Sequence, residues 1–171
     1  MRCRIYTDGS YDGGSGTGSW ANVITNDEQI KVKTGIKQDT TNNQVELLAV
    51  LNALEYAVRK HINDVEIITD SMYVLNGVQN NLEKWVHNDW VGCNGQQIKY
   101  RTEWQGIQIM LQCMAENKFH VRFSKVKSHS GNALNEYADE QAKQALVRYV
   151  GKQGESNNER LLCKGANKEV H

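Results

Sequence analysis

The chain has 171 residues, 39% apolar and 23% charged, and its 20 acidic and 20 basic side chains cancel to a formal net charge of zero. That length fits one domain able to bury about 70% of its unfolded surface without a metal or disulfide staple. Zero net charge excludes a protein held to nucleic acid by bulk charge, though not one with local basic patches. No run of about 18 apolar residues is present, so no membrane-spanning helix and no membrane partner are expected. The opening Met1-Arg2-Cys3-Arg4-Ile5 lacks the apolar core of a secretory signal. Cys3, Cys93, Cys113 and Cys163 form no Cys-x-x-Cys and match no zinc spacing. They read as free thiols of a reducing compartment, which makes the expected location cytoplasmic.

In chain order, residues 2–8 read as a strand that stops at Asp8, where a turn begins with Gly9, Gly13, Gly14, Gly16 and Gly18. Residues 19–25 and 29–36 read as two further strands joined by the turn Asn26-Asp27-Glu28, so the chain begins as an antiparallel meander. Leu47, Val50, Leu51, Leu54 and Val58 then fall on one helical face and predict a helix over 43–59, capped from Thr40-Thr41-Asn42-Asn43. Residues 64–69 read as a strand ending at Asp70, followed by Ser71 and a short helix to about Gly77. A strand, helix and strand in succession favour parallel pairing through a right-handed crossover. Residues 80–101 carry Trp85, Trp90 and Tyr100 among Lys84, His87, Lys99 and Arg101, without a clear period. A helix over 100–116, a strand over 118–126, a loop over 127–132 and an amphipathic helix over 133–150 complete the pattern. Residues 151–171 turn polar and read as a flexible tail, with Leu161-Leu162-Cys163 its one apolar cluster. The fold class is therefore α/β: a mixed five-stranded sheet, three strands antiparallel and then two parallel, with helices on both faces.

Four carboxylates stand out, each with an ordinary alternative. Asp8 also reads as an Asp-Gly hairpin turn, Asp70 as a helix N-cap shared with Ser71, and Glu46 as the partner of Asn43 in a capping box. Asp139 also reads as an acid on a solvated helix face, and His129 as a plain loop histidine. The joint reading differs. If the strands that end at Asp8 and Asp70 are parallel neighbours, both acids emerge at the sheet edge where open α/β sheets bind ligands. Four converging carboxylates repel unless cations lie between them. Oxygen-only ligands favour hard ions, Mg²⁺ first and Mn²⁺ second. Two such ions suit a phosphodiester displacement, and His129, ten residues before Asp139, is placed to move protons near neutral pH.

Residues 6–10 (Tyr-Thr-Asp-Gly-Ser), 41–47 (Thr-Asn-Asn-Gln-Val-Glu-Leu), 69–71 (Thr-Asp-Ser), 126–131 (Val-Lys-Ser-His-Ser-Gly) and 135–139 (Asn-Glu-Tyr-Ala-Asp) resemble type 1 ribonuclease H in order and spacing. The resemblance covers about residues 1–150 and implies a ribonuclease H-like fold and catalytic domain there, with 151–171 outside it. It implies a metal-dependent endonuclease that cuts the RNA strand of RNA–DNA hybrids, leaving 3′-hydroxyl and 5′-phosphate ends. It implies that Asp8, Glu46, Asp70 and Asp139 bind two Mg²⁺ ions, with Mn²⁺ able to substitute, and that His129 assists proton transfer and product release. It further implies that Asn42 faces the minor groove, that Thr41 and Asn43 hold a DNA-strand phosphate, and that Lys84, Trp85 and Trp90 belong to a substrate-binding protrusion. Trp104 resembles a family aromatic just after it. Two positions depart from the pattern: Gly14 and Met72 stand where relatives carry an Asn and a Gln that contact the hybrid.

The alternatives are a non-cleaving nucleic-acid-binding module of the same fold, a transposase- or integrase-like domain, and the nuclease portion of a reverse transcriptase. The first is expected to lose a carboxylate, and the second to use fewer acids in another spacing. The start at Met1 and the loop around His129 fit a free-standing enzyme better than the third. A monomer with no obligate protein partner, acting on RNA–DNA hybrid, is the expectation.

Overall fold

The computed structural model describes residues 2–126 and 132–166, with side-chain surroundings as far as residue 156. Three antiparallel strands come first: β1 (Cys3–Asp12), β2 (Thr17–Thr25) and β3 (Ile30–Lys37). Helix α1 (Asn42–Arg59) leads to β4 (Asp64–Thr69), and α2 (Met72–Asn76), a π-helical turn (Gly77–Asn81) and α3 (Leu82–His87) come next. Helix α4 (Arg101–Glu116), β5 (His120–Lys125) and α5 (Ala133–Ala166) close the described chain. The sheet order is β3-β2-β1-β4-β5, antiparallel across the first three strands and parallel from β1 to β4 to β5. This is the mixed five-stranded sheet that the sequence predicts.

The period-two alternation of β1 and β4 decides which helix covers which face. Cys3 and Ile5 of β1 and Val65 and Ile67 of β4 pack with Leu47, Val50 and Leu54 of α1 and with Trp104, Ile107 and Met114 of α4. Their neighbours Tyr6 and Ile68 face the other way, onto Val23 and Ala138 of α5. Ala138 and Ala142 are fully buried, and their small size lets α5 lie close to the sheet, where the Ser19 hydroxyl donates to the Ala142 carbonyl.

Three boundaries differ from the sequence reading. β1 does not stop at Asp8: it runs on to Asp12, paired with β2 as far as Asp12↔Thr17. What stops is its parallel ladder with β4, whose last pair is Tyr6↔Ile68. Alternating polar residues at the end of β1 look like a turn in sequence, but the hairpin supplies their backbone partners. The real turn is built by Asp12, whose carboxylate accepts from the Gly14 and Ser15 backbone N–H groups and from the Ser15 hydroxyl, with Gly16 at φ 69°. The final helix, expected to end near Val150, continues to Ala166 through Gly151 and Gly154.

Residues 80–101, unreadable as a period, are organised by Trp104. It is fully buried, lies 5.1 Å edge-on to Trp85, and donates its indole N–H to the Tyr73 hydroxyl at 3.3 Å. Gly77 passes beneath it. A Cβ there would lie 2.0 Å from the Trp104 ring, so no side chain fits. Gly77→Ala is expected to cost about 1–3 kcal/mol through overpacking, read as a lower urea midpoint with an unchanged slope.

Candidate active site

The site forms where the parallel ladder ends. Beyond Tyr6↔Ile68 the strands β1 and β4 no longer pair, so Asp8 and Asp70 emerge together at the head of the sheet. Helix α1 adds Glu46 from one face. Its N-cap is Thr41, whose hydroxyl accepts from the Gln44 backbone N–H at 3.3 Å, so Glu46 is not engaged in a capping box with Asn43. One turn further in, it is carried to the rim of the buried stripe and is only 6% exposed. Gly9 makes this approach possible: a Cβ there would lie 2.8 Å from Val45 Cγ2 and 3.3 Å from Glu46 Cδ. Asp70 is likewise not the cap of α2, since Ser71 fills that role by accepting from the Val74 N–H.

Asp8, Glu46 and Asp70 each present a carboxylate oxygen within 4.8 Å of the others. With Asn42, Ser71, Asn135, Glu136 and Asp139 they line one cavity of about 280 Å³. Asp139 stands at its edge on α5, and its Oδ2 accepts from the Lys143 ammonium at 2.7 Å. Lys143 is thus a residue of the site that sequence reasoning missed; its only signal is the i,i+4 spacing from Asp139. Asn135 is also missed: it is 3% exposed and its Oδ1 has no hydrogen-bond partner.

Electrostatics mark this cluster as unfinished by protein atoms alone. Burial, then the negative charge of Asp70, raises the Asp8 carboxyl to about 7, with Asp139 adding repulsion and the Gly9 N–H, 2.8 Å away, opposing it. Burial, then the charges of Asp8 and Asp70, pushes Glu46 well above the usual carboxylate range. Glu46 Oε2 is buried without a hydrogen-bond partner. A buried acceptor in that state is costly unless something cationic satisfies it. The donor set is oxygen only and anionic, which suits a hard divalent ion. These residues fit such an ion.

The other expected site residues are dispersed around this cavity and beyond it. Asn42 is exposed and lines the carboxylate cavity, and Asn43 is exposed beside it. The Thr41 hydroxyl is hydrogen-bonded to that of Tyr100, and the neighbouring Gln44 amide donates to Glu103 at 2.8 Å. Lys84 is exposed in a separate groove along α3. Trp85 is half-buried against Trp104, and Trp90, 8% exposed, belongs to the core. His129 and Lys127 lie outside the described residues. Of the two departures, Gly14 serves the Asp12 turn and Met72 is 46% exposed just past Ser71.

The family model described as RNase H matches residues 2–147. The chain belongs to the RNase H family. It is 37% identical over 151 residues to the ribonuclease H of Francisella tularensis subsp. novicida (strain U112), covering 88% of this chain and 95% of that protein. It is 37% identical over 147 residues to the ribonuclease H of Francisella philomiragia subsp. philomiragia, covering 86% and 92%. Among solved structures, this RNase H family member is similar to the foamy viral protease–reverse transcriptase in complex with double-stranded DNA: TM-score 0.71, 25% identity, 83% of this chain and 92% of that one. The same viral protein with an RNA/DNA hybrid superposes with a TM-score of 0.70 at 24% identity over 83% of this chain, which spans only 19% of that longer one.

The raised carboxyls give this RNase H family member a pH signature in chelator. Folded Asp8 keeps its proton up to about pH 7, whereas an ordinary Asp releases it near 3.8. Between those values the folded chain holds more protons than the unfolded one, so stability falls as pH rises through that window. Thermal melts are expected to show this fall, Asp8→Asn to flatten it, and added Mg²⁺ to restore stability above pH 7.

Proposed function

We propose that the protein is an endonuclease that hydrolyses the RNA strand of RNA–DNA hybrids, leaving 3′-hydroxyl and 5′-phosphate ends. One observation carries the reading: three carboxylates within 4.8 Å, one with an unpartnered buried oxygen, at the head of the sheet in an RNase H family chain. The relatives named ribonuclease H, and the viral structure that holds an RNA/DNA hybrid, support the substrate class. A cytoplasmic monomer is part of the proposal, supported by the bacterial relatives.

Asp8, Glu46 and Asp70, with Asp139 at the edge, would hold two Mg²⁺ ions, or Mn²⁺. Such ions supply a water of lowered pKa and stabilise the leaving 3′ oxygen. The chain's own groups do the rest. Loading the site requires Asp8 and Glu46 to give up the protons that burial and mutual repulsion make them keep in chelator. Asp139 exchanges its contact with Lys143 for the site, and that ammonium is left beside the incoming phosphate. Asn42, exposed at the same cavity, reads the minor groove, where only the RNA strand carries 2′-hydroxyls. Thr41 and Asn43 hold a DNA phosphate. His129 moves protons, and Lys84, Trp85 and Trp90 belong to the substrate-binding protrusion.

The test is a gel assay of one end-labelled strand presented as RNA–DNA hybrid, RNA duplex, DNA duplex and single-stranded RNA, each with Mg²⁺ and with chelator. Internal cuts in the RNA of the hybrid alone are expected. Asp70→Asn is expected to lower kcat by at least about a hundredfold, since a misplaced ion forfeits several kcal/mol of transition-state stabilisation. Its fold stays intact, because the change removes charge from a repulsive cluster. Hybrid bound but uncut with either ion would overturn the reading in favour of a non-cleaving module.

A further inference from the structure

A second charged surface lies away from the carboxylates, on the face of β3 that looks toward α1. Lys31 and Lys33 project from that face with their ammonium groups 5.7 and 5.1 Å from the centroid of one ring, Tyr56 of α1. Arg59 and Lys60, at the end of the same helix, complete a cluster of four cations. Among the described residues none of the four forms an ion pair with a carboxylate. The crowding is electrostatically felt: burial, then Arg59, Lys31 and Lys60, lowers the Lys33 ammonium from its usual value.

Two ordinary explanations account for only part of this. The carboxyl end of a helix favours cations, which covers Arg59 and Lys60. Lysines on an edge strand discourage sheet-to-sheet pairing, which covers Lys31 and Lys33. Neither explains why the lysines are drawn onto a ring beside two more cations in a chain of zero net charge. On the same sheet face the cross-strand register sets Asn22 beside Lys33 and Trp20 beside Gly35. Trp20 is half-buried, its ring lies over Gly35, and its other neighbour across the sheet is Gly9, next to Asp8. An exposed aromatic edge thus stands between the carboxylate cavity and the cations. Cations interleaved with aromatics are what a nucleic-acid backbone and its bases engage.

We propose that Lys31, Lys33, Arg59 and Lys60 form a second phosphate-binding surface, which holds nucleic-acid backbone outside the cleavage site and takes no part in the chemistry. Its use in catalysis rests on the hybrid-cleaving reading. From Glu46 to Arg59 is thirteen residues of α1, about 20 Å at 1.5 Å per residue. A hybrid of about 8 base pairs centred on the cut reaches some 14 Å to either side and misses the surface, whereas one of about 24 base pairs passes it.

The test compares the wild-type chain with the fourfold variant Lys31→Gln, Lys33→Gln, Arg59→Gln, Lys60→Gln. Binding of a DNA duplex of about 24 base pairs in chelator is followed by fluorescence anisotropy against salt, where each lost phosphate contact removes about 0.9 from the log–log slope. The slope is expected to be shallower by about 3, and affinity near 0.1 M salt about tenfold weaker or more. In Mg²⁺, KM for the long hybrid rises by a similar factor, while kcat on both hybrids and KM for the short one stay put. The all-arginine variant at Lys31, Lys33 and Lys60 keeps the wild-type slope. An unchanged slope, or KM rising equally for both lengths, would overturn the proposal. If no hybrid is cut at all, the cleavage reading fails, but the DNA-duplex arm still decides this surface.

Discussion

Repulsion among buried carboxylates is the constraint around which the rest is arranged. A protein left to maximise its own stability would not gather Asp8, Glu46 and Asp70 within 4.8 Å and deprive one oxygen of any partner. Their convergence is imposed from outside the cluster. The end of the β1–β4 ladder, the small Gly9 that lets α1 close in, and the Thr41 cap that fixes where α1 begins are each satisfied locally. Two well-packed cores, one on each face of the sheet, hold these elements against the repulsion. The strain is stored at the head of the sheet and is released by a cation.

The ties around α1 show how the scaffold resists. Thr41 meets Tyr100, and Gln44 meets Glu103, so the first turn of α1 is fastened to the first turn of α4. Below them Trp104 anchors α4 against Tyr73, Trp85 and Gly77. A chain of polar and aromatic contacts thus runs from the segment after β4 to the cap that sets Glu46. Substrate-facing loops are ordinarily the loosest parts of a domain; here the loop that carries the most tryptophan is locked by its own core.

Where periodicity and local chemistry agree, the sequence was sufficient. The stripe Leu47–Val50–Leu51–Leu54–Val58 predicts a helix over 43–59, and α1 spans Asn42–Arg59. The strand-terminal acids predict a shared sheet edge, and Asp8 and Asp70 meet there. The misreadings have physical causes. Polar alternation after Asp8 resembles a turn until β2 is there to pair with it. The polar, glycine-containing stretch after Val150 carries no apolar stripe, yet α5 extends through it. Lys143 and Tyr100 were invisible for another reason: what matters about them is which side chain they meet, and Tyr100 meets one 59 positions away.

The π-helical turn at Gly77–Asn81 sets the aim of every residue in α3. One extra residue in a helical path rotates the downstream helix by about 100° relative to an unbroken α-helix. Because of that offset, Leu82 points into the core and Trp85 meets Trp104, while Glu83, Lys84 and His87 face outward. The outward charge pattern of α3 therefore depends on phase rather than composition. An insertion or deletion of one residue between Leu75 and Leu82 would exchange its wet and dry faces while leaving every amino acid of α3 unaltered, so among relatives length in this short segment carries more meaning than identity.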